Sequence, residues 1–78
     1  MEMEEKIKRM IANLLGVKYE EIALESRFIE DLKADSLDKL ELILALEDNF
    51  GLTIEDGDAD LIKTVEDAVV YIKRNYKD

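Results

Sequence analysis

The chain has 78 residues, room for one hydrophobic core, so residues 1–78 are expected to form a single domain. Hydrophobic residues make up 47% and charged residues 40%, the balance of a folded, soluble protein rather than a disordered one. A net charge of −9 would repel phosphate, which argues against nucleic acid or an anionic membrane as partner and toward basic protein surfaces.

In chain order, Met3, Ile7, Met10, Ile11, Leu14 and Leu15 recur at helical spacing, and Gly16 supplies a C-terminal cap. Residues 16–35 follow as a connection too long to be structureless in so small a domain. Ile22, Leu24, Phe28, Ile29 and Leu32 are expected to pin it over the helices as an ordered loop leading to Asp35-Ser36. A middle helix is expected from about Ser36 to Phe50, closed by Gly51. A short helical turn is expected around Asp58 to Ile62. The last helix opens on Thr64-Val65-Glu66-Asp67, a threonine cap with an acid three residues on. Val65, Ala68, Val69, Ile72 and Tyr76 then form one stripe, and Lys73, Arg74 and Lys77 sit where the helix dipole favours cations. No paired strands are legible, so the class is all-α.

Absent residue types narrow the chemistry. With no Cys there is no disulfide framework, thiolate metal site or cysteine nucleophile. The sequence also has no His, which excludes a Ser-His-Asp arrangement and removes the commonest metal ligand. The longest strictly apolar run, Leu42 to Leu46, is far short of the ~20 residues a membrane span needs. Met1-Glu2-Met3-Glu4-Glu5 does not resemble a secretory signal, and a cytoplasmic protein is expected.

The charge is unevenly placed. From Glu30 to Asp60 there are eleven acids and two bases, Lys33 and Lys39, which leaves the full −9 in the middle of the chain. Such a run can be a solvated face. Concentrated on one helix and the turn after it, it also suggests a basic partner that relieves the repulsion. On a helical wheel Leu42, Ile43, Leu46 and Phe50 gather on one face of the middle helix, and Leu37, Leu40 and Leu44 on another. The second stripe is rimmed by Glu41, Glu47 and Asp48. Either the core face is wide, or this stripe is the apolar centre of an acidic interface. Lys39 falls on the inner face of the wheel, where its stem can snorkel.

Only two serines exist, Ser26 and Ser36. Ser36 could cap the middle helix itself. Asp35 can cap as well, with Asp38 at the third helical position, and this would free the Ser36 hydroxyl at a helix mouth suited to a phosphate. An esterified phosphate fits better than a catalytic serine, because no base stands ready to activate the hydroxyl.

The stretch Glu30-Asp31-Leu32-Lys33-Ala34-Asp35-Ser36-Leu37-Asp38, followed by Glu41-Leu42-Ile43-Leu44-Ala45-Leu46-Glu47-Asp48-Asn49-Phe50, closely resembles the acyl carrier proteins of dissociated (type II) fatty-acid synthesis. The resemblance runs from the amphipathic start through Leu15-Gly16-Val17 to Thr64-Val65 and Tyr71-Ile72. It implies a small four-helix bundle, with three main helices arranged up-down-down and one short helix before the last. It also implies 4′-phosphopantetheine, transferred from coenzyme A by a Mg²⁺-dependent transferase, on Ser36 between Asp35 and Leu37. The chain would then carry growing acyl groups as thioesters and catalyse nothing itself.

By the same resemblance, Asp35, Asp38, Glu41, Glu47 and Asp48 would meet Lys/Arg patches on ketoacyl synthases, reductases, dehydratases and acyltransferases, with Leu37, Leu40 and Leu44 as the apolar centre. Phe28, Ile29, Leu46, Ile54, Ala59, Ile62 and Ala68 match positions that shelter the acyl chain, and an ordinary core would use the same side chains. A monomer is expected. Two departures stand out: Lys33 replaces the glycine most frequent in the family, and Glu55 replaces a common proline.

Other readings remain. Polyketide and specialised lipid carriers share the serine motif, and a helical adaptor without a prosthetic group would also suit an acidic rim around leucines. Asp56, Asp58, Asp60 and Asp67 have EF-hand-like spacing, but Leu61 stands where that loop needs glycine. Weak divalent binding at Asp56, Asp58 and Asp60 is the milder expectation.

Overall fold

A computed structural model describes residues 3–76. Four helices form in the order α1 (Met3–Leu15), α2 (Ser36–Phe50), α3 (Asp56–Leu61) and α4 (Val65–Asn75). Helical spacing places Ile7 and Ile11 on the buried side of α1, where both are fully enclosed. Leu14, expected on that stripe, lies in the last turn of α1 and is 37% exposed instead. Gly16 ends α1 with φ +70°, a left-handed conformation that glycine adopts without the Cβ penalty.

The core is shared among α1, α2 and α4, with α1 packed on both of the others. Val65, Ala68, Val69 and Ile72 supply the buried face of α4. Tyr76, expected to extend that stripe, lies beyond the helix as its cap and sets its ring edge-on to Phe50 at 5.5 Å. Lys73 and Arg74 occupy the last turn of α4 as expected, while Lys77 lies outside the described residues.

The long connection is ordered. A single 3₁₀ turn, Tyr19–Glu21, is tied to α1 by Lys8 and Arg9, which lie 4.9 and 4.8 Å from the Tyr19 ring centroid. Ile22, Phe28 and Leu32 are buried and anchor the loop, Leu24 is partly buried, and Ile29 is 46% exposed. Phe28 N–H donates to the Lys63 carbonyl at 3.0 Å, Val65 N–H to Ser26 at 3.0 Å and Glu66 N–H to Leu24 at 2.8 Å. These bonds stitch the loop to the α3–α4 connection, with an isolated antiparallel bridge between Arg27 and Thr64. Burying Phe28 and satisfying these amides holds the approach to α2 in one place.

The short helix begins earlier than expected, at Asp56. That helix excludes a calcium loop across Asp56 to Asp67. The Asp67 carboxylate accepts from Lys63 N–H and Thr64 N–H, both at 3.1 Å, while its own N–H donates to Thr64 Oγ1 at 3.1 Å, a capping box for α4.

Candidate functional site

The centre of the site is the start of α2. Asp35 is its N-cap: the carboxylate accepts from Asp38 N–H at 2.8 Å, and the Asp38 carboxylate accepts from Asp35 N–H at 3.2 Å. Both charges stay at the positive end of the helix dipole, where they are stabilising. Ser36 occupies the first helical position, exposed, and among the described residues its hydroxyl has no hydrogen-bond partner. Ser26 contrasts with it. It is buried, and its Oγ accepts from Ala23 N–H at 3.0 Å.

A turn held by one bidentate ion pair leads into this cap. Arg27 Nε and Nη2 reach the Asp31 carboxylate at 3.1 and 3.2 Å, which also accepts from Arg27 N–H at 2.9 Å. The guanidinium's hydrogen bonds hold the Asp31 carboxyl below its ordinary range. Lys33 then adopts φ +63°, the left-handed region, and is the sole non-glycine to do so among the described residues. The turn therefore keeps the geometry a glycine would favour despite the side chain.

Beside Ser36 lies a groove of about 410 Å³. From α2 it takes Ser36, Lys39, Leu40 and Ile43; from α3, Asp56, Ala59 and Asp60; from the loop, Ile29. The seven expected acyl-contact positions are thus divided. Ile29 and Ala59 line this groove, whereas Phe28, Leu46, Ile54, Ile62 and Ala68 are buried, Phe28 in the wall of an adjoining groove and Ile62 in that of another. The exposed Ser36 hydroxyl, with open space beside it and the cap supplied by Asp35, fits an esterified phosphopantetheine.

The two faces of α2 separate as the wheel indicates. Leu42, Ile43, Leu46 and Phe50 are buried, and Leu37, Leu40 and Leu44 are 63%, 53% and 53% exposed. Each exposed leucine forgoes much of the roughly 1.5–3 kcal/mol that full burial would bring. Glu41 and Asp48 are exposed, while Glu47 is half-buried and its carboxylate accepts from Ile54 N–H at 2.7 Å. Glu47 thus braces the loop after Gly51, a role with no local sequence signal because it depends on the left-handed Gly51 turn (φ +63°) bringing Ile54 back. Of the eleven acids between Glu30 and Asp60, only Asp31 has an ion-pair partner among the described residues.

Asp56, Asp58 and Asp60 do not converge, and no described cluster of acids is arranged to hold a metal ion. Asp58 turns away to accept from the Tyr71 hydroxyl at 3.0 Å, whereas Asp56 and Asp60 line the groove. The expected divalent site is therefore not formed by these residues. No described helix is long and apolar enough to cross a membrane.

Fold and site together define a carrier domain. The family model described as "Phosphopantetheine attachment site" matches residues 5–72. The acyl carrier protein of Nitratidesulfovibrio vulgaris is 53% identical over 73 residues, covering 94% of this chain and 96% of that protein. Among solved structures, a Mycobacterium tuberculosis protein assigned as an acyl carrier protein superposes with a TM-score of 0.88 at 36% identity, covering 94% of this chain and 97% of the other. The acyl carrier protein of Enterococcus faecalis gives 0.80 at 37% identity, covering 94% and 92%. The chain belongs to the acyl carrier protein family. It is an all-α carrier whose prosthetic group is 4′-phosphopantetheine, which sets aside the adaptor without one.

Proposed function

We propose that this single carrier domain bears 4′-phosphopantetheine on Ser36 and carries growing acyl chains as thioesters for cytoplasmic fatty-acid synthesis. The observation that carries the reading is the Asp35–Asp38 capping box, which leaves Ser36 the exposed, unbonded serine at the head of α2. When bound, the group supplies the thiol the sequence lacks. Ser36 offers the hydroxyl, and with no His in the chain the base that deprotonates it belongs to the transferase. The chain itself acts as a carrier and catalyses nothing.

Asp35, Asp38, Glu41 and Asp48 present unneutralised charge around Leu37, Leu40 and Leu44. Basic patches on ketoacyl synthases, reductases, dehydratases and acyltransferases would be steered to this face and desolvate its leucines on contact. The groove beside Ser36 is the entry for an acyl chain, bounded by Ile29, Ile43 and Ala59. Reaching the buried positions Phe28, Leu46, Ile54, Ile62 and Ala68 would require the side chains packed around them to part, and the domain would work as a monomer.

Incubation with coenzyme A, Mg²⁺ and a phosphopantetheinyl transferase should add one phosphopantetheine to the intact mass. Ser36→Ala should gain nothing. An unchanged mass for the natural chain would overturn the assignment, and the acyl groups accumulated on the loaded chain in cells would separate fatty-acid from polyketide or specialised lipid synthesis.

A further inference from the structure

Lys39 is the one cation among the residues lining the Ser36 groove, and it also borders a second groove with Arg27 and Lys63. It is half-buried, and no carboxylate lies within ion-pair distance of it among the described residues, although Asp56 and Asp60 line the same groove. Its place on the helix sets the dipole against the surrounding acids, Asp35, Asp38, Asp56 and Asp60. A cation in the opening turns of a helix opposes the positive end of the dipole.

Residues three apart on a helix are neighbours, and helical side chains lean toward the N-terminus. Lys39 is therefore directed toward the turn that carries Ser36. A phosphodiester formed there would bring a negative charge among Asp35, Asp38, Asp56 and Asp60, with Lys39 the one cation on α2.

We propose that Lys39 is a positioning residue whose ammonium pairs with the phosphodiester on Ser36 and steadies the root of the prosthetic arm at the mouth of the groove. The proposal rests on the Ser36 attachment described above. It assigns a role to a cation that otherwise stands unpaired near the wrong end of its helix.

The test loads the natural chain, Lys39→Gln and Lys39→Arg to completion with coenzyme A and a phosphopantetheinyl transferase, with intact mass reporting completeness. Phosphorus NMR of the loaded proteins should show a phosphodiester resonance that moves in Lys39→Gln and returns toward the natural position in Lys39→Arg. Loading should raise the thermal midpoint by about 1–5 °C more in the natural chain than in Lys39→Gln, as expected for a partly exposed ion pair in a domain this small. That difference should shrink in high salt.

Complete loading with the same resonance and the same change in midpoint for the natural chain and Lys39→Gln would overturn the role of Lys39 alone. Equal loss of stability in the bare and loaded forms of Lys39→Gln would also overturn it, because the lysine would then be serving the groove wall. No mass gain in any of the proteins would overturn the Ser36 attachment and this role with it.

Discussion

Asp35 and Asp38 exchange hydrogen bonds across the first turn of α2, each carboxylate accepting the other residue's backbone N–H, at 2.8 and 3.2 Å. Ser36 sits between them and takes no part in capping. The stability of the helix end and the chemistry of the serine are thereby assigned to different side chains. Asp35→Ala should destabilise the domain by about 0.5–2 kcal/mol, the usual loss for a cap. Ser36→Ala should stay within about 0.5 kcal/mol, as an exposed substitution does. Urea denaturation of the three proteins checks both values.

Glu47 and Glu41 share the acidic rim of α2 but differ in what they touch. Glu47 accepts from Ile54 N–H at 2.7 Å, and Glu41 has no partner among the described residues. Glu47→Ala should cost about 1–3 kcal/mol of stability by releasing that amide. Reversing Glu41 and Asp48 to Lys should leave the thermal midpoint nearly unchanged and slow acyl transfer to a ketoacyl synthase, with the main effect on association. Normal transfer by that folded variant would contradict the docking role.

Much of this arrangement is legible in the sequence because it is local. The helical stripes, the Thr64–Asp67 and Asp35–Asp38 boxes and the closing Gly16 and Gly51 all depend on residues within one turn of each other. The two faces of α2 follow from spacing alone. What the sequence conceals depends on distant chain segments meeting: the bonds from the loop to the α3–α4 connection, the brace from Glu47 to Ile54, and the Tyr71–Asp58 contact. Ile29 reads as a core anchor from its type, yet it lies exposed on the groove. Lys39 shows on the wheel as an inward lysine, but its place in a groove requires α3 to form the opposite wall.

The two departures from the family pattern carry opposite backbone demands. Lys33 is held at φ +63°, where a side chain costs roughly 1–2 kcal/mol, partly offset by the chain freedom a glycine would add when unfolded. Lys33→Gly should therefore stabilise the domain by up to about 1 kcal/mol. Glu55 has φ −72° and makes no side-chain cap, so a proline ring fits there. Glu55→Pro should add about 0.4–1 kcal/mol by restricting the unfolded chain. Thermal melts of both variants, bare and loaded, measure these gains.

Tyr71 donates to Asp58 at 3.0 Å, and burial first, then this hydrogen bond, raises its pKa above the ordinary tyrosine value. The phenol holds its proton more tightly in the fold than in the unfolded chain. Its contribution is complete below the ordinary tyrosine range near pH ~10 and disappears as pH rises through the elevated folded value. Asp31, lowered by Arg27, behaves in the opposite sense. Its contribution is present above the ordinary aspartate range and fades as pH falls through the depressed folded value. Tyr71→Phe should flatten the alkaline limb of the stability profile and leave the acid limb intact. An unchanged alkaline limb would contradict the Tyr71–Asp58 bond.

Trypsin separates the two serines of this chain, since residues 34–39 contain only Ser36 and residues 19–27 only Ser26. Tandem mass spectrometry of the loaded, digested protein therefore reads the attachment point directly. The phosphopantetheine should be found on the 34–39 peptide, at Ser36, with the 19–27 peptide unmodified. A group located on Ser26, or a 34–39 peptide that stays bare under an active transferase, would contradict the account.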